Sequence, residues 1–448
     1  MTNAGLIKKD ANKLLWRIHH WVGLYTGILI GILSFTGALA VFIPEIDSFI
    51  KKKHYHASSS ASASGQPEFS RSLSELTEKY KDYQGLSVEL PSQPGDVAEV
   101  RLAAPKGSGA QNLTFFVDIG QDRVVGSRNS QNSLANYMRQ MHVRLYEGYW
   151  GRQLVGLGGI ALVVLTVTGF LIYGNFMKKQ VWPAIRKGKG LRIVLADWHK
   201  IIGVSALAFN LVIALTGAWL GLQPVLMRWF DIKTPNTHKT EVIMEKEADK
   251  QLSVNWHDAM QAVKKEFPDL VPRFIVSSAN GSATITFRGS IQGTVYEREI
   301  NTLVLSKQTL EPLFKYDVRR QSFGDKFYFV QEALHFGDFG GLALKILYAL
   351  LGLATAFLSI SGFAIFLFRT KVKDRRKTAP MKLVAVYSLS ILLLLIIAAL
   401  ASLFVGYGQT AFVAAILING LLIILVLYLF IKFLVSQWKN LARLIPGA

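Results

Sequence analysis

The chain has no cysteine among its 448 residues. That absence excludes a disulfide, an iron–sulfur cluster, a thiolate metal site and a covalently attached C-x-x-C-H haem. Hydrophilic domains built without cysteine suit a bacterial periplasm or outer surface. A nucleotide-binding loop is also missing. The Gly156-Leu157-Gly158-Gly159 cluster falls inside an apolar run, not between a strand and a helix. Nor does the start read as a cleavable leader. Its first apolar run is too long, has no small-residue cleavage site and continues into Pro44-Glu45.

Hydrophobic residues, by contrast, make up 51% of the chain, and they are clustered. Apolar runs cover Trp21–Ile43, Gly151–Tyr173, Ile201–Leu222, Leu342–Phe368, Leu383–Val405 and Ala411–Phe433. Each meets the roughly 20 residues that a helix needs to cross about 30 Å of hydrocarbon. The expected fold class is therefore a polytopic α-helical membrane protein with six spans in a lipid bilayer.

The formal net charge of +20 would suit a nucleic-acid binder, but its distribution along the chain says otherwise. Residues 1–20, the loop after the second run, the loop after the fourth and the tail carry twenty basic residues against only Asp10 and Asp374. The long hydrophilic segments 44–150 and 225–340 are balanced, with twelve and fifteen charges of each sign respectively. Basic short loops stay in the cytoplasm. Both termini and the loops near 185 and 375 are thus expected inside, and the two long segments outside. The charge reports topology, and no nucleic acid is implied.

An internal repeat runs through the spans. His19 stands 17 residues before Thr36-Gly37, and His199 stands 17 before Thr216-Gly217. His142 stands 26 before Thr168-Gly169, and His335 stands 26 before Ser361-Gly362. The reading is a duplicated unit of span, external domain and span, both copies starting inside, with an extra C-terminal helical hairpin. Gly23 and Gly203, four residues after His19 and His199, suit small-residue helix packing.

The external segments read as two α+β domains. In the first, Leu73–Tyr80 is helical, Asp96–Leu102 and Asn112–Asp118 alternate like strands, and a turn precedes Val124-Val125. In the second, Ser253–Phe267 is expected as a helix. Arg273–Ser277, Ser282–Arg288 and Thr294–Ile300 follow as strands, and then Thr302–Leu305. Residues 57–66 form a low-complexity Ser/Ala linker. The chain divides into the N-terminus and first span (1–43), the first external domain (44–150), the second span (151–174) and a basic loop (175–196). The third span (197–224), the second external domain (225–340), the fourth span (341–368), a basic loop (369–382) and the hairpin with its tail (383–448) complete it.

By this topology His19 and His199 lie at the cytoplasmic ends of their spans, while His142 and His335 precede theirs at the external face. A lone interfacial histidine would read as structural. Four at matched offsets read as two facing pairs, one at each side, and paired neutral imidazoles are the axial ligands that a b-type haem needs. Zinc would want four ligands, and no acidic residue repeats alongside. Arg17, Lys200 and Arg144 stand within two residues of these histidines and could meet haem propionates. His20 has no counterpart in the third span, where Lys200 takes its place, so either His19 or His20 fits as ligand. His54 and His56 have metal-compatible H-x-H spacing beside the linker but read as solvated; His238 and His257 read as surface residues.

At Trp16-Arg-Ile-His19-His-Trp-Val-Gly23-Leu, His199-Lys-Ile-Ile-Gly203 and the four Thr/Ser-Gly pairs, the chain resembles the PepSY-associated transmembrane family. That family includes iron-regulated membrane proteins and periplasmic ferric-siderophore reductases. The resemblance covers about residues 10–370 and implies PepSY-like external domains, a four-helix haem-binding core and the bacterial inner membrane. It also implies two b-type haems held by His19, His199, His142 and His335, in a haem-dependent electron carrier that reduces a ferric siderophore. Quinol or a separate reductase would be the donor. The rival class is a non-redox protein, a transporter subunit or a regulator whose external domains bind an envelope partner. The final hairpin suits dimerisation or partner docking equally.

Overall fold

The structure, a computed structural model, describes residues 3–55, 69–83, 85–91, 95–105, 107–129, 134–145, 148–177, 184–235, 254–278, 283–295 and 299–369, with 386 and 390. The expected spans at 383–405 and 411–433, the linker, His56 and His238 lie outside these residues. In chain order the helices are α1 (Asn3–Ala40), α2 (Ile43–His54), α3 (Ser70–Lys79), α4 (Leu134–Arg144), α5 (Gly148–Met177), α6 (Leu191–Ser205), α7 (Leu207–Phe230), α8 (Trp256–Glu266), α9 (Phe323–Phe336) and α10 (Gly341–Arg369). The strands are β1 (Gly85–Glu89), β2 (Ala98–Ala103), β3 (Leu113–Asp118), β4 (Arg123–Asn129), β5 (Leu270–Ser278), β6 (Thr284–Ile291), β7 (Asn301–Ser306) and β8 (Pro312–Tyr316). They form two compact units, one of the described residues within 3–42, 137–230 and 342–369, the other of those within 43–136 and 231–341.

The first unit is a helical bundle. Among the described residues four helices are long and apolar enough to cross a membrane: Ala11–Ala40, Gly148–Gly174, Leu207–Phe230 and Asp338–Arg369. The shortest has 24 residues, about 36 Å at 1.5 Å per residue. α5 packs against both α1 and α7. Small residues set the α5–α7 approach: a Cβ on Gly159 would lie 2.6 Å from the Ala218 nitrogen, and one on Gly156 2.8 Å from the Leu222 nitrogen. Backbones this close are the usual solution where lipid offers no hydrophobic drive between helices. α7 meets α10 through a Thr355–Asn210 hydrogen bond of 2.6 Å, and α10 returns to α1 where Phe363 lies against Gly27. The four helices close into a ring.

Polarity is arranged as a bilayer requires. Leu154, Leu157, Phe170, Leu215, Leu347 and Leu350 are exposed, while Thr36, Thr168, Asn210, Thr216, Thr355 and Ser361 are buried. The third span differs in detail from the single helix expected over 197–224. α6 ends at Ser205 and α7 starts at Leu207, with Ala206 bonded on both sides, to Ile202 and from Asn210.

The second unit joins the two long hydrophilic segments that the sequence reads as separate domains. Its eight strands make one antiparallel sheet in the order β4-β3-β2-β1-β5-β6-β7-β8. The joint is the β1–β5 pair, where Val88 faces Ile275. Each half runs helix, four strands, helix. α8 buries Trp256, Ala259 and Val263, one stripe at helical spacing, and α3 buries Leu73 and Leu76. Both stripes share a core with Val100, Leu102, Phe287, Leu303 and Leu305. The described residues of the expected strand Thr294–Ile300, 294–295 and 299–300, are not strand: Gly293 takes φ +76° and the Thr294 hydroxyl bonds the Ile291 carbonyl, so the chain turns between β6 and β7. β1 and β8 were not legible as strands.

Candidate cofactor site

The histidines of the bundle share one local arrangement. On α1, His19 reaches across to α5, its Nδ1 3.0 Å from the Thr168 hydroxyl. On α6, His199 reaches α10, its Nδ1 2.8 Å from the Ser361 hydroxyl. On α4, His142 reaches back to α1, its Nδ1 3.2 Å from the Thr36 hydroxyl. Each ring therefore meets the Thr/Ser-Gly pair of a different helix. In sequence, each histidine counts evenly to a pair on its own span or on the span that follows it; in space the links run crosswise.

The hydrogen-bond geometry bears on the direction of these contacts. A hydroxyl has one hydrogen. Thr168 stands 2.6 Å from the Val164 carbonyl and Thr36 2.7 Å from the Ile32 carbonyl, closer than either stands to its imidazole, so their oxygens are placed to accept from the rings. Ser361 stands 2.8 Å from His199 and 3.1 Å from the Leu358 carbonyl. A ring hydrogen on Nδ1 suits this arrangement and would leave the Nε2 lone pair for another partner. Thr216, on α7, commits its own hydroxyl in the same way, to Val212 at 2.7 Å.

The glycine of each pair makes room. A Cβ on Gly37 would lie 2.8 Å from Cε1 of His142, and one on Gly169 3.1 Å from Cε1 of His19. The fit at Gly362 is looser, 3.8 Å from His199. One turn beyond the histidines, Gly23 faces Leu165 and Gly203 faces Leu358. The α1–α5 and α6–α10 contacts thus repeat residue for residue.

His19 and His199 face each other with ring centres 6.5 Å apart and planes at 89°. His20 points elsewhere, stacked on Trp16 at 5.0 Å and flanked by Trp21 and Phe366. Of the two neighbours, only His19 is turned to His199. Lys200 pairs with Asp197 at 3.5 Å, a carboxylate also gripped by Arg186 at 2.7 Å. Arg17 and Arg144 have exposed side chains. His335 lies near the C-terminal end of α9, in the second unit. His257 is a structural surface residue of α8, its ring bonded to Gln261. Among the described residues no group of three or more His, Cys, Asp or Glu side chains could hold a free metal ion.

The PepSY-associated TM region matches residues 16–369 of this sequence. The chain belongs to that family. The matched PepSY-associated TM region opens at Trp16, beside the His19-His20 pair, and closes at Arg369, the last residue of α10. It contains all four repeated histidines, the four long apolar helices and the whole sheet. An uncharacterised protein of Pseudomonas aeruginosa is 36% identical over 83 residues, which is 18% of this chain and 20% of that protein. The match spans about a fifth of that relative's length.

Thr36, Thr168 and Ser361 are the functional candidates that sequence reasoning passed over. Their signal was present as the recurring Thr/Ser-Gly pairs. What the sequence withheld was which histidine each pair serves.

Proposed function

We propose that this PepSY-associated TM protein is a di-haem electron carrier of the bacterial inner membrane that reduces ferric siderophores in the periplasm. The observation that carries the reading is the His19–His199 pair. Two imidazoles bonded to one first-row metal ion from opposite sides, each nitrogen about 2.0 Å away, have ring centres roughly 6 Å apart. The observed 6.5 Å fits that spacing. Both rings turn Nδ1 to a hydroxyl, which would leave Nε2 free to hold the iron.

On this reading His19 and His199 hold a b-type haem near the cytoplasmic face, and His142 and His335 hold another near the external face. The internal duplication explains why the two sites use the same parts. Along α1, the 17 residues from His19 to Thr36, which receives His142, amount to about 25 Å of helix. That distance separates a donor-side site from an acceptor-side site. Arg17, Lys200 and Arg144 supply positive charge beside the histidines for propionates. Gly37 and Gly169 let the rings of His142 and His19 approach the backbone.

When bound, haem supplies one-electron chemistry, and the protein supplies position and tuning. The donor would be quinol or a separate reductase. Fe(III) held by hard oxygen donors is bound tightly and Fe(II) far less so, so gain of one electron by the chelate releases the metal.

The test is stopped-flow mixing of dithionite-reduced, desalted protein with a ferric siderophore, with a chromogenic chelator capturing Fe(II). Reoxidation should track chelate concentration, and one Fe(II) should appear per electron lost. Haem-bearing protein that reoxidises no faster with chelate than with buffer would contradict siderophore reduction. A colourless protein would return the reading to a non-redox membrane protein.

A further inference from the structure

We infer that the hydroxyls of Thr168, Ser361 and Thr36 are positioning groups that hold His19, His199 and His142 in the Nδ1–H tautomer and tune the iron those rings ligate. The inference rests on the proposed haem reading and adds residues that act on the iron only through the ring.

A neutral imidazole can carry its hydrogen on either nitrogen, and only the Nδ1–H form offers Nε2 to a metal. The group that faces Nδ1 selects the form. Each of these hydroxyls is buried, with Thr36 4%, Thr168 6% and Ser361 1% exposed. Each lies within bonding distance of a carbonyl of its own helix, where its hydrogen can go, and turns its oxygen to Nδ1. A buried hydroxyl so placed to accept from Nδ1 is a tautomer selector. Three independent helix pairs, α1–α5, α6–α10 and α4–α1, make the same contact.

An acceptor on Nδ1–H also raises the basicity of Nε2 and orients the ring. A more basic axial ligand favours Fe(III) and lowers the reduction potential. Thr168→Val keeps the side-chain shape and removes the acceptor. It should raise one of the two midpoint potentials and weaken haem retention by about ten-fold. Ser361→Ala should raise the same potential, because His19 and His199 share a site. Thr36→Val should raise the other. Thr168→Ser, which restores the oxygen, should return the potential to the wild-type value.

The experiment is a spectroelectrochemical titration of the full-length protein in detergent, wild type and these variants, with haem quantified per chain. Selective upward shifts, paired as stated and reversed by Thr168→Ser, support the inference. Haem-loaded variants with wild-type potentials overturn it while leaving the haem reading intact. A colourless wild type overturns the haem reading instead. The tautomer claim is then decided on the cofactor-free chain by imidazole nitrogen-15 shifts. A protonated Nδ1 lost in Thr36→Val upholds the selector role, and a mixture of tautomers in the wild type overturns it.

Discussion

The imidazole of His142 lies against Gly37, its Cε1 2.8 Å from where a Cβ on that residue would stand. Real Cβ atoms essentially never come that close, so the ring must shift if a methyl group is added. The equivalent distance from Gly362 to His199 is 3.8 Å, ordinary contact. Gly37→Ala should therefore displace His142 and remove about half the bound haem, while Gly362→Ala should keep both. The check is haem per chain in the two purified variants, alongside their thermal unfolding. Equal retention in both would contradict the role given to Gly37.

The neighbouring histidines of α1 make a second comparison. His19 faces His199, and His20 stacks between Trp16 and Phe366. His19→Ala should lose the cytoplasmic-side haem, and His20→Ala should retain it. Visible spectra of the two variants decide the matter, and the reverse outcome would move the ligand by one residue.

Much of this was legible in the sequence, for identifiable reasons. Apolar runs of the length of α5 and α10 have no soluble alternative, so the four described spans stand out. Strand β2 alternates in sequence because Val100 and Leu102 meet the α3–α8 core, while β3 carries the apolar run Phe115–Val117. The matched steps from histidine to Thr/Ser-Gly singled out His19, His199, His142 and His335. The crosswise bonds were hidden, because a buried helix threonine reads equally well as a hydroxyl bonded to its own i−4 carbonyl. Thr168 does that and also receives His19, and the second bond depends on how α1 and α5 pack. The β1–β5 joint was hidden for a similar reason, since it pairs residues some 190 positions apart, beyond any local pattern.

The sheet unit carries a buried ionic cluster. Glu99, 2% exposed, accepts from Lys51 and pairs with Arg101 at 3.1 Å and Arg128 at 3.8 Å. Burial would raise its carboxyl, but Lys51, Arg101 and Arg128 outweigh that and hold it below its usual 4.5. A depressed folded value means stability that is present above 4.5 and lost as the pH falls through the lowered value. Thermal unfolding of the full chain should show that loss on acidification, and Glu99→Ala should flatten it. The variant should also lower stability at neutral pH, with Lys51 and Arg128 left to Asp47 and Arg101 left to Glu89. An unchanged acid profile would contradict this.

Topology is open to a direct check. Ser108 and Lys187 are exposed, the first in an expected external segment and the second in a basic loop. With no native cysteine to interfere, Ser108→Cys should react with an impermeant reagent in intact cells. Lys187→Cys should react only after permeabilisation. The opposite pattern would invert the membrane orientation and the sidedness of both histidine pairs.

The most direct test of the central claim is the visible spectrum of the detergent-purified full-length protein, oxidised and dithionite-reduced, with haem counted per chain. Paired imidazole ligands at two sites predict two non-covalent, low-spin b-type haems per chain, falling to one in His199→Ala. A colourless protein, or one whose haem content is untouched by His199→Ala, would contradict it.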